Sequence, residues 1–178
     1  GMLCSIMLLD SQGKYLLSGA APSLPEFFNH AMNELETGMG VVSCGTAAFT
    51  GQRVIVEDIR THPYWTAYRE LSQQAALGSC WSEPIHAASG KVLGTFAIYH
   101  RDTRKPGDAE LQLMIKTANV AAIALDRNRA DQAIKGNEKL LSDILENVSA
   151  YIYMKDTQGR YLYANRLLRE LFNAPKEE

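Results

Sequence analysis

Ser43-Cys44-Gly45-Thr46-Ala47-Ala48, followed by Arg53-Val54-Ile55-Val56-Glu57-Asp58-Ile59, sets the reading of this chain. Thr46 to Thr50 predicts a short helix, and Gly51 suits the left-handed residue that closes one. Val54 to Val56 is β-branched throughout and predicts a short central strand. Next comes His62-Pro63-Tyr64-Trp65, where Thr61 or His62 caps a helix and Pro63 fits its first turn. The inner stripe of that helix is expected at Trp65, Tyr68, Leu71, Ser72, Ala75 and Ala76, with Gly78 as its stop. Ser79 to Ala87 and Val92 to His100 flank Ser89-Gly90 and predict a hairpin.

Outward from this centre, Leu3 to Leu9 is a near-continuous apolar run, suited to a strand covered on both faces. Asp10-Ser11-Gln12-Gly13 is a turn by residue type, and Lys14 to Ser18 returns as the second strand. Ser23 is expected to cap a helix that starts near Pro25, with Phe27, Phe28, Ala31, Met32 and Leu35 on one face. Thr37 to Gly45 reads as a flexible connection. On the other side, Pro106-Gly107-Asp108 opens a long helix with Leu111, Met114, Ile115, Ala118, Ala122 and Leu125 in period.

Beyond Arg127 the period changes. Ala130, Ile134, Asn137, Leu141, Ile144 and Val148 alternate at spacings of four and three, which is a heptad seam with one polar position at Asn137. It predicts pairing of this helix with a second copy of the chain, the alternative being one amphipathic helix lying on its own domain. Gly136 opposes either helix by about 1 kcal/mol relative to Ala. The last thirty or so residues predict a strand at Tyr151 to Asp156, a turn to Arg160, a strand at Tyr161 to Asn165 and a helix through Leu168 and Phe172. Two strands and a helix cannot close a core alone, so this tail is expected to be mobile or to borrow a neighbour's surface.

Composition removes several function classes. The chain has 178 residues, 46% hydrophobic, with a net charge of −2. That gives room for one full domain and a fragment. No basic stripe of the nucleic-acid-binding kind is present. Cys4, Cys44 and Cys80 are an odd, widely spaced set, which fits reduced thiols in the cytoplasm better than a disulfide framework. No apolar run approaches the roughly 20 residues of a membrane span. His30, His62, His86 and His100 show no metal-ligand spacing. No phosphate loop, nucleophile elbow or metalloprotease motif occurs, so the segment is read as non-catalytic.

In order and spacing, the stretches quoted above, with Ser79-Cys80-Trp81-Ser82-Glu83-Pro84-Ile85-His86 and Val92-Leu93-Gly94-Thr95-Phe96-Ala97-Ile98-Tyr99, resemble the GAF domain. The resemblance implies an α/β (α+β) fold, a mostly antiparallel central sheet flanked by helices. It covers about residues 3–130, with 131–147 as a helical coiled-coil linker. The spacing of Ile144-Leu145-Glu146-Asn147, Asp156, Gly159 and Asn165 is similar to the opening of a PAS domain, giving 148–178 as its incomplete start. GAF domains usually carry a helix before the first strand; this chain begins at the strand, so the helices expected to pair would be incomplete. Such tandem modules resemble the input half of bacterial sensors whose outputs are histidine kinases or cyclic-di-GMP enzymes. The resemblance implies a small-molecule ligand, the heptad seam a homodimer through the C-terminal helix, and the charge pattern and apolar-run lengths no nucleic-acid partner and no membrane contact by this segment.

The candidate pocket is Cys44, Trp65, Tyr68, Ser79, Trp81 and Phe96, with Tyr99 as a further aromatic; Tyr and Trp carry polar groups that need partners. No cofactor is named by these residues. A second reading comes from Cys44-Gly45-Thr46-Ala47-Ala48, which looks like the free methionine-(R)-sulfoxide reductases. That family requires a second cysteine, yet His62-Pro63-Tyr64-Trp65-Thr66-Ala67 holds none, Cys80 is a poor substitute, and Gly94-Thr95-Phe96-Ala97-Ile98 replaces its acidic pair. A third reading is a ligand-free dimerisation module. Asp58 is expected to stabilise a turn, and Glu83 to face solvent at an edge beside Pro84.

Overall fold

The computed structural model describes residues 1–174. The chain divides into two compact units, Gly1–Asp126 and Arg127–Glu178. In the first unit, β1 (Leu3–Leu9), β2 (Tyr15–Ala20), β3 (Leu35–Glu36), β4 (Val54–Val56), β5 (Ser79–His86) and β6 (Val92–His100) form one sheet. Its order is β3-β2-β1-β6-β5-β4, and every pairing is antiparallel. The helices are α1 (Glu26–Met32), α2 (Val42–Thr50), a 3₁₀ helix (Pro63–Tyr68) running into α3 (Arg69–Gln74), and α4 (Asp108–Asn147). This is the α+β, antiparallel architecture expected from the sequence.

Strand periodicity assigns the side chains to two faces. Met7, Leu16, Phe28, Met32, Val42, Val56, Ile59, Trp65 and Tyr99 form a core beneath α1, α2 and α3. Trp81, Ile85, Leu93, Phe96 and Ile98 form a second core with Met114, Ala118 and Ala122 of α4. Each large apolar side chain here is worth about 1.5–3 kcal/mol on burial. Small residues at positions 118 and 122 let α4 lie close to the aromatic-rich strands. The apolar run of β1 serves both cores: Met7 faces one, and Cys4 and Ile6 pack against the other.

Several local expectations change in the structure. Ser23 does not cap α1; its Oγ accepts the Cys4 N–H at 3.1 Å, tying the loop to β1. Phe27 is exposed, and Leu35 leaves the helix to pair in β3 after Glu34 turns the chain at φ 60°. Helix α2 starts one turn earlier than expected, while Gly51 closes it at φ 65°. His62 caps the 3₁₀ helix through Nδ1, which accepts the Tyr64 N–H at 3.3 Å. Gly78 matters for close approach: a Cβ there would meet the Arg101 carbonyl oxygen at 2.5 Å. Glu83 is not solvated but ion-paired with Arg53, both largely buried. Pro84 does sit at an edge position, because β4 pairs β5 only from Cys80 to Ser82.

Helix α4 is unbroken across Gly136 over 40 residues, about 60 Å at 1.5 Å per residue. In the second unit, β7 (Tyr153–Lys155) and β8 (Tyr161–Ala164) form a hairpin followed by α5 (Arg166–Leu171). Asn165 organises it. Its side chain accepts the N–H groups of Ile152 and Leu168 and donates to the Leu145 and Ala150 carbonyls at 3.1 and 2.7 Å. Arg169 pairs with Glu146 at 2.8 Å. From Val148 onward, Asn165 and Leu168 are the buried residues among those described. Tyr151, Tyr153, Met154, Tyr161, Leu162 and Phe172 are exposed. Among the described residues no helix is long and apolar enough to cross a membrane, and no cluster of metal-ligating side chains occurs.

Candidate functional site

The site grows from the start of α2. Its first helical residue, Val42, is fully buried at φ 37°, a conformation costly for a β-branched side chain. No side chain caps the helix. Ser43 and Cys44 follow, both buried. The Ser43 Oγ accepts the Trp65 indole N–H at 3.0 Å, and Cys44 Sγ lies 3.6 Å from Tyr99 Oη.

Beneath this turn the sheet presents Ser5 from β1, Cys80 and Ser82 from β5, and Thr95 and Tyr99 from β6. All are buried. Strand period two puts Cys80 and Ser82 on one face, and Thr95 and Tyr99 on the same one. The hydroxyls of Ser5, Ser82 and Thr95 have no hydrogen-bond partner. An unsatisfied buried polar group costs about 1–3 kcal/mol, and these three hydroxyls gather around one thiol and one tyrosine; Ser79 Oγ and His100 Nε2 on the opposite face, and Arg69 Nε, are also without partners.

The electrostatics centre on Cys44. The neighbouring Cys80 thiol outweighs burial and brings Cys44 down to about 7, with Tyr99 helping. Ser82 and Thr95 lie near enough to polarise the thiol without hydrogen bonds of ordinary geometry. Burial, then the adjacent Cys44, push Cys80 up. Burial and the same charge raise Tyr99. A cavity of about 10 Å³, lined by Ser5, Met7, Phe28, Met32 and Tyr99 among others, adjoins this group. That is room for about one water.

The structure divides the expected pocket set. Cys44 and Trp65 are fully buried on the α2 face, and Tyr68 packs half-buried against the same core. Trp81 and Phe96 are on the opposite face, against α4. The Trp81 indole donates to the Arg104 carbonyl at 3.3 Å, and its ring packs on His100 at 4.7 Å. Ser79 pairs across the sheet with His100, again on the α4 side. The correction has one cause: residues 81 and 96 are out of phase with 80, 82, 95 and 99. Ser5, Cys80, Ser82 and Thr95 are absent from the expected set, although the alternation Cys80-x-Ser82 and Thr95-x-Ala97-x-Tyr99 carries the signal. Asp58 holds its turn as expected, accepting the Arg60 N–H at 3.0 Å and pairing with that guanidinium.

The model of the GAF domain family matches residues 1–126. The chain belongs to the GAF domain family. This GAF-containing chain is 38% identical, over 179 aligned residues, to the methyl sulfide methyltransferase-associated sensor of Methanosarcina acetivorans. The match covers 100% of the chain but 18% of that relative's length. Among solved structures, it is similar to the domain of a two-component sensor histidine kinase protein from Sinorhizobium meliloti 1021. The TM-score is 0.61 at 19% identity, covering 75% of this chain and 83% of that one. It also resembles the substrate complex of the fRMsr of Staphylococcus aureus, with TM-score 0.51 at 20% identity, over 67% and 69% of the two chains. At these identities the likenesses concern the fold. The Methanosarcina protein is a sensor by name, and this GAF domain is homologous to one segment of it.

Proposed function

We propose that this GAF domain binds a small molecule on the α2 face and passes its state along α4 to a following domain. The observation that carries the reading is the set of three buried hydroxyls, Ser5, Ser82 and Thr95, without partners beside the Cys44 thiol. A ligand that supplies their hydrogen bonds is favoured by the desolvation cost it removes. The buried residues of that core are apolar or carry hydroxyls and thiols, which favours a small ligand with hydrogen-bonding groups. Binding shifts α4 only to the extent that the ligand prefers one arrangement of the sheet and its helices. We ascribe no turnover to this segment.

The output side of the proposal rests on α4 and the second unit. Ile134, Leu141 and Ile144 are exposed along one heptad register, which supports pairing with a second copy of the chain in the cytoplasm. The roles of Glu146, Asp156, Gly159 and Asn165 in holding the hairpin fit the opening of a PAS domain. A kinase or cyclic-di-GMP enzyme would then be the output of the signalling protein, and the relative's printed role as a sensor supports the input half of this reading.

Native mass spectrometry of the purified chain tests both halves. A dimer with added mass is expected; a bare monomer overturns the reading. Leu141→Asp is expected to give a monomer whose first unit keeps its circular dichroism and unfolding transition. An unchanged oligomeric state would exclude pairing through this seam.

A further inference from the structure

Two of the three cysteines meet on the α2 face. Cys44 in the first turn of α2 and Cys80 on β5 are both fully buried and unbonded to one another. Cys80 is the cross-strand partner of Tyr99, whose hydroxyl reaches Cys44 Sγ at 3.6 Å. The two thiols thus share one neighbour and come from elements far apart in sequence. Cys4 is half-buried and packs on the other face. Its thiol is raised by burial.

Buried cysteines are ordinarily inert, because an apolar environment disfavours the thiolate. Cys44 is not in that situation. Its donors outweigh burial and leave it near neutrality, while Cys80 stays a thiol. One sulfur is therefore the nucleophile and the other the resolving group. The small cavity against Ser5 and Tyr99 is about water-sized, so the oxidant to consider beside these thiols is a small one.

We propose that Cys44 and Cys80 form a reversible disulfide on exposure to hydrogen peroxide or a similarly small hydroperoxide, giving this domain an oxidant input separate from its ligand. The Cys44 thiolate attacks one peroxide oxygen; the O–O bond breaks, and the departing hydroxide takes a proton to become water. Cys44 is left as a sulfenic acid. The Cys80 sulfur then attacks the Cys44 sulfur as its own proton goes to the leaving hydroxide, giving a second water and the S–S bond. Two thiols lose two electrons together, and one peroxide gains them. Closing to about 2.05 Å between sulfurs draws the first turn of α2 onto β5. Val42, at its positive φ, lies in the segment that must move.

The test is peptide mapping of the full chain under non-reducing conditions after peroxide treatment. A Cys44–Cys80 cross-linked peptide, two hydrogens lighter and restored by dithiothreitol, is expected, with Cys4 unmodified. Cys80→Ser should leave a sulfenic acid on Cys44, which dimedone captures when the treated chain, freed of peroxide, is unfolded in its presence, and Cys44→Ser should leave Cys80 unreactive. In the unaltered chain the rate of thiol loss should rise as pH passes about 7, where Cys44 titrates. Oxidation confined to Cys4, a disulfide between chains, or thiols unchanged in excess peroxide would each overturn the proposal. Mass retained by untreated protein reports the ligand separately, so the two ideas fail independently.

Discussion

One face of the six-stranded sheet carries Trp81, Ile85, Leu93, Phe96 and Ile98 against Met114, Ala118 and Ala122. The other sets Ser5, Cys80, Ser82, Thr95 and Tyr99 beneath Cys44. The strands are the same; only the phase of the side chains differs. On the α4 face the buried atoms are mainly apolar and gain from packing. Its polar end, where His100 and Ser79 face each other, is closed by Arg104, which lies over the Trp81 ring at 5.6 Å and pairs with Glu110. On the α2 face, buried hydroxyls lack partners and a thiol is held near neutrality. Both faces leave buried polar atoms without partners, Ser79 Oγ and His100 Nε2 on the α4 side and the hydroxyls of Ser5, Ser82 and Thr95 on the α2 side; what sets the α2 face apart is the thiol placed among its hydroxyls.

Truncation on the α4 face should be the most damaging. Ile98→Ala removes a fully buried side chain and is expected to cost about 2–5 kcal/mol, read as a fall in the denaturant midpoint. A loss below about 1 kcal/mol would mean that this face is not tightly packed and would erase the contrast.

Thr95→Val should act in the opposite direction. It keeps the shape and deletes a hydroxyl that has no partner, so the ligand-free chain should gain about 1 kcal/mol in stability. The same substitution should reduce any mass retained in native spectrometry. Destabilisation without ligand would show that the Thr95 hydroxyl is satisfied, and the recognition role would go with it.

The smallest effect concerns pH. Burial first, and then the Arg104 guanidinium, hold His100 below the usual imidazole range. The folded state therefore resists a proton that the unfolded chain accepts. Stability should be full above about 6.5, the ordinary imidazole value, and decline as pH falls through the lower folded value. His100→Gln should flatten that slope in a series of unfolding curves. An unchanged slope would place the acid sensitivity elsewhere.

Much of the frame could be read locally. Gly51, His62-Pro63, the Ser89-Gly90 turn and the β-branched run at 54–56 each specify a neighbouring backbone conformation, and each holds in the structure. Failures came where a distant partner decided. Ser23 had a helix to cap, but the Cys4 N–H claims its hydroxyl. Glu83 looked stranded in mid-strand, but Arg53 meets it. The candidate site set was divided between two faces for another reason. Choosing large aromatics united Trp81 and Phe96 with Cys44, although strand alternation already separated them. Ser5, Ser82 and Thr95 are ordinary residues in strands, and only their gathering around Cys44 and Tyr99 distinguishes them.

The sequence alone determined the order of elements, the antiparallel hairpins, the long helix and its heptad repeat, because these depend on side-chain period and turn chemistry within short windows. It also determined which family the chain resembles. Only the tertiary structure decided that Cys80 comes to Cys44, that Tyr99 touches that thiol, and that three hydroxyls are buried without partners. Helix α2 and strand β5 lie far apart in the chain, with Cys44 and Cys80 36 positions apart. Their closeness is fixed by how two elements pack, and no local pattern in the chain encodes it.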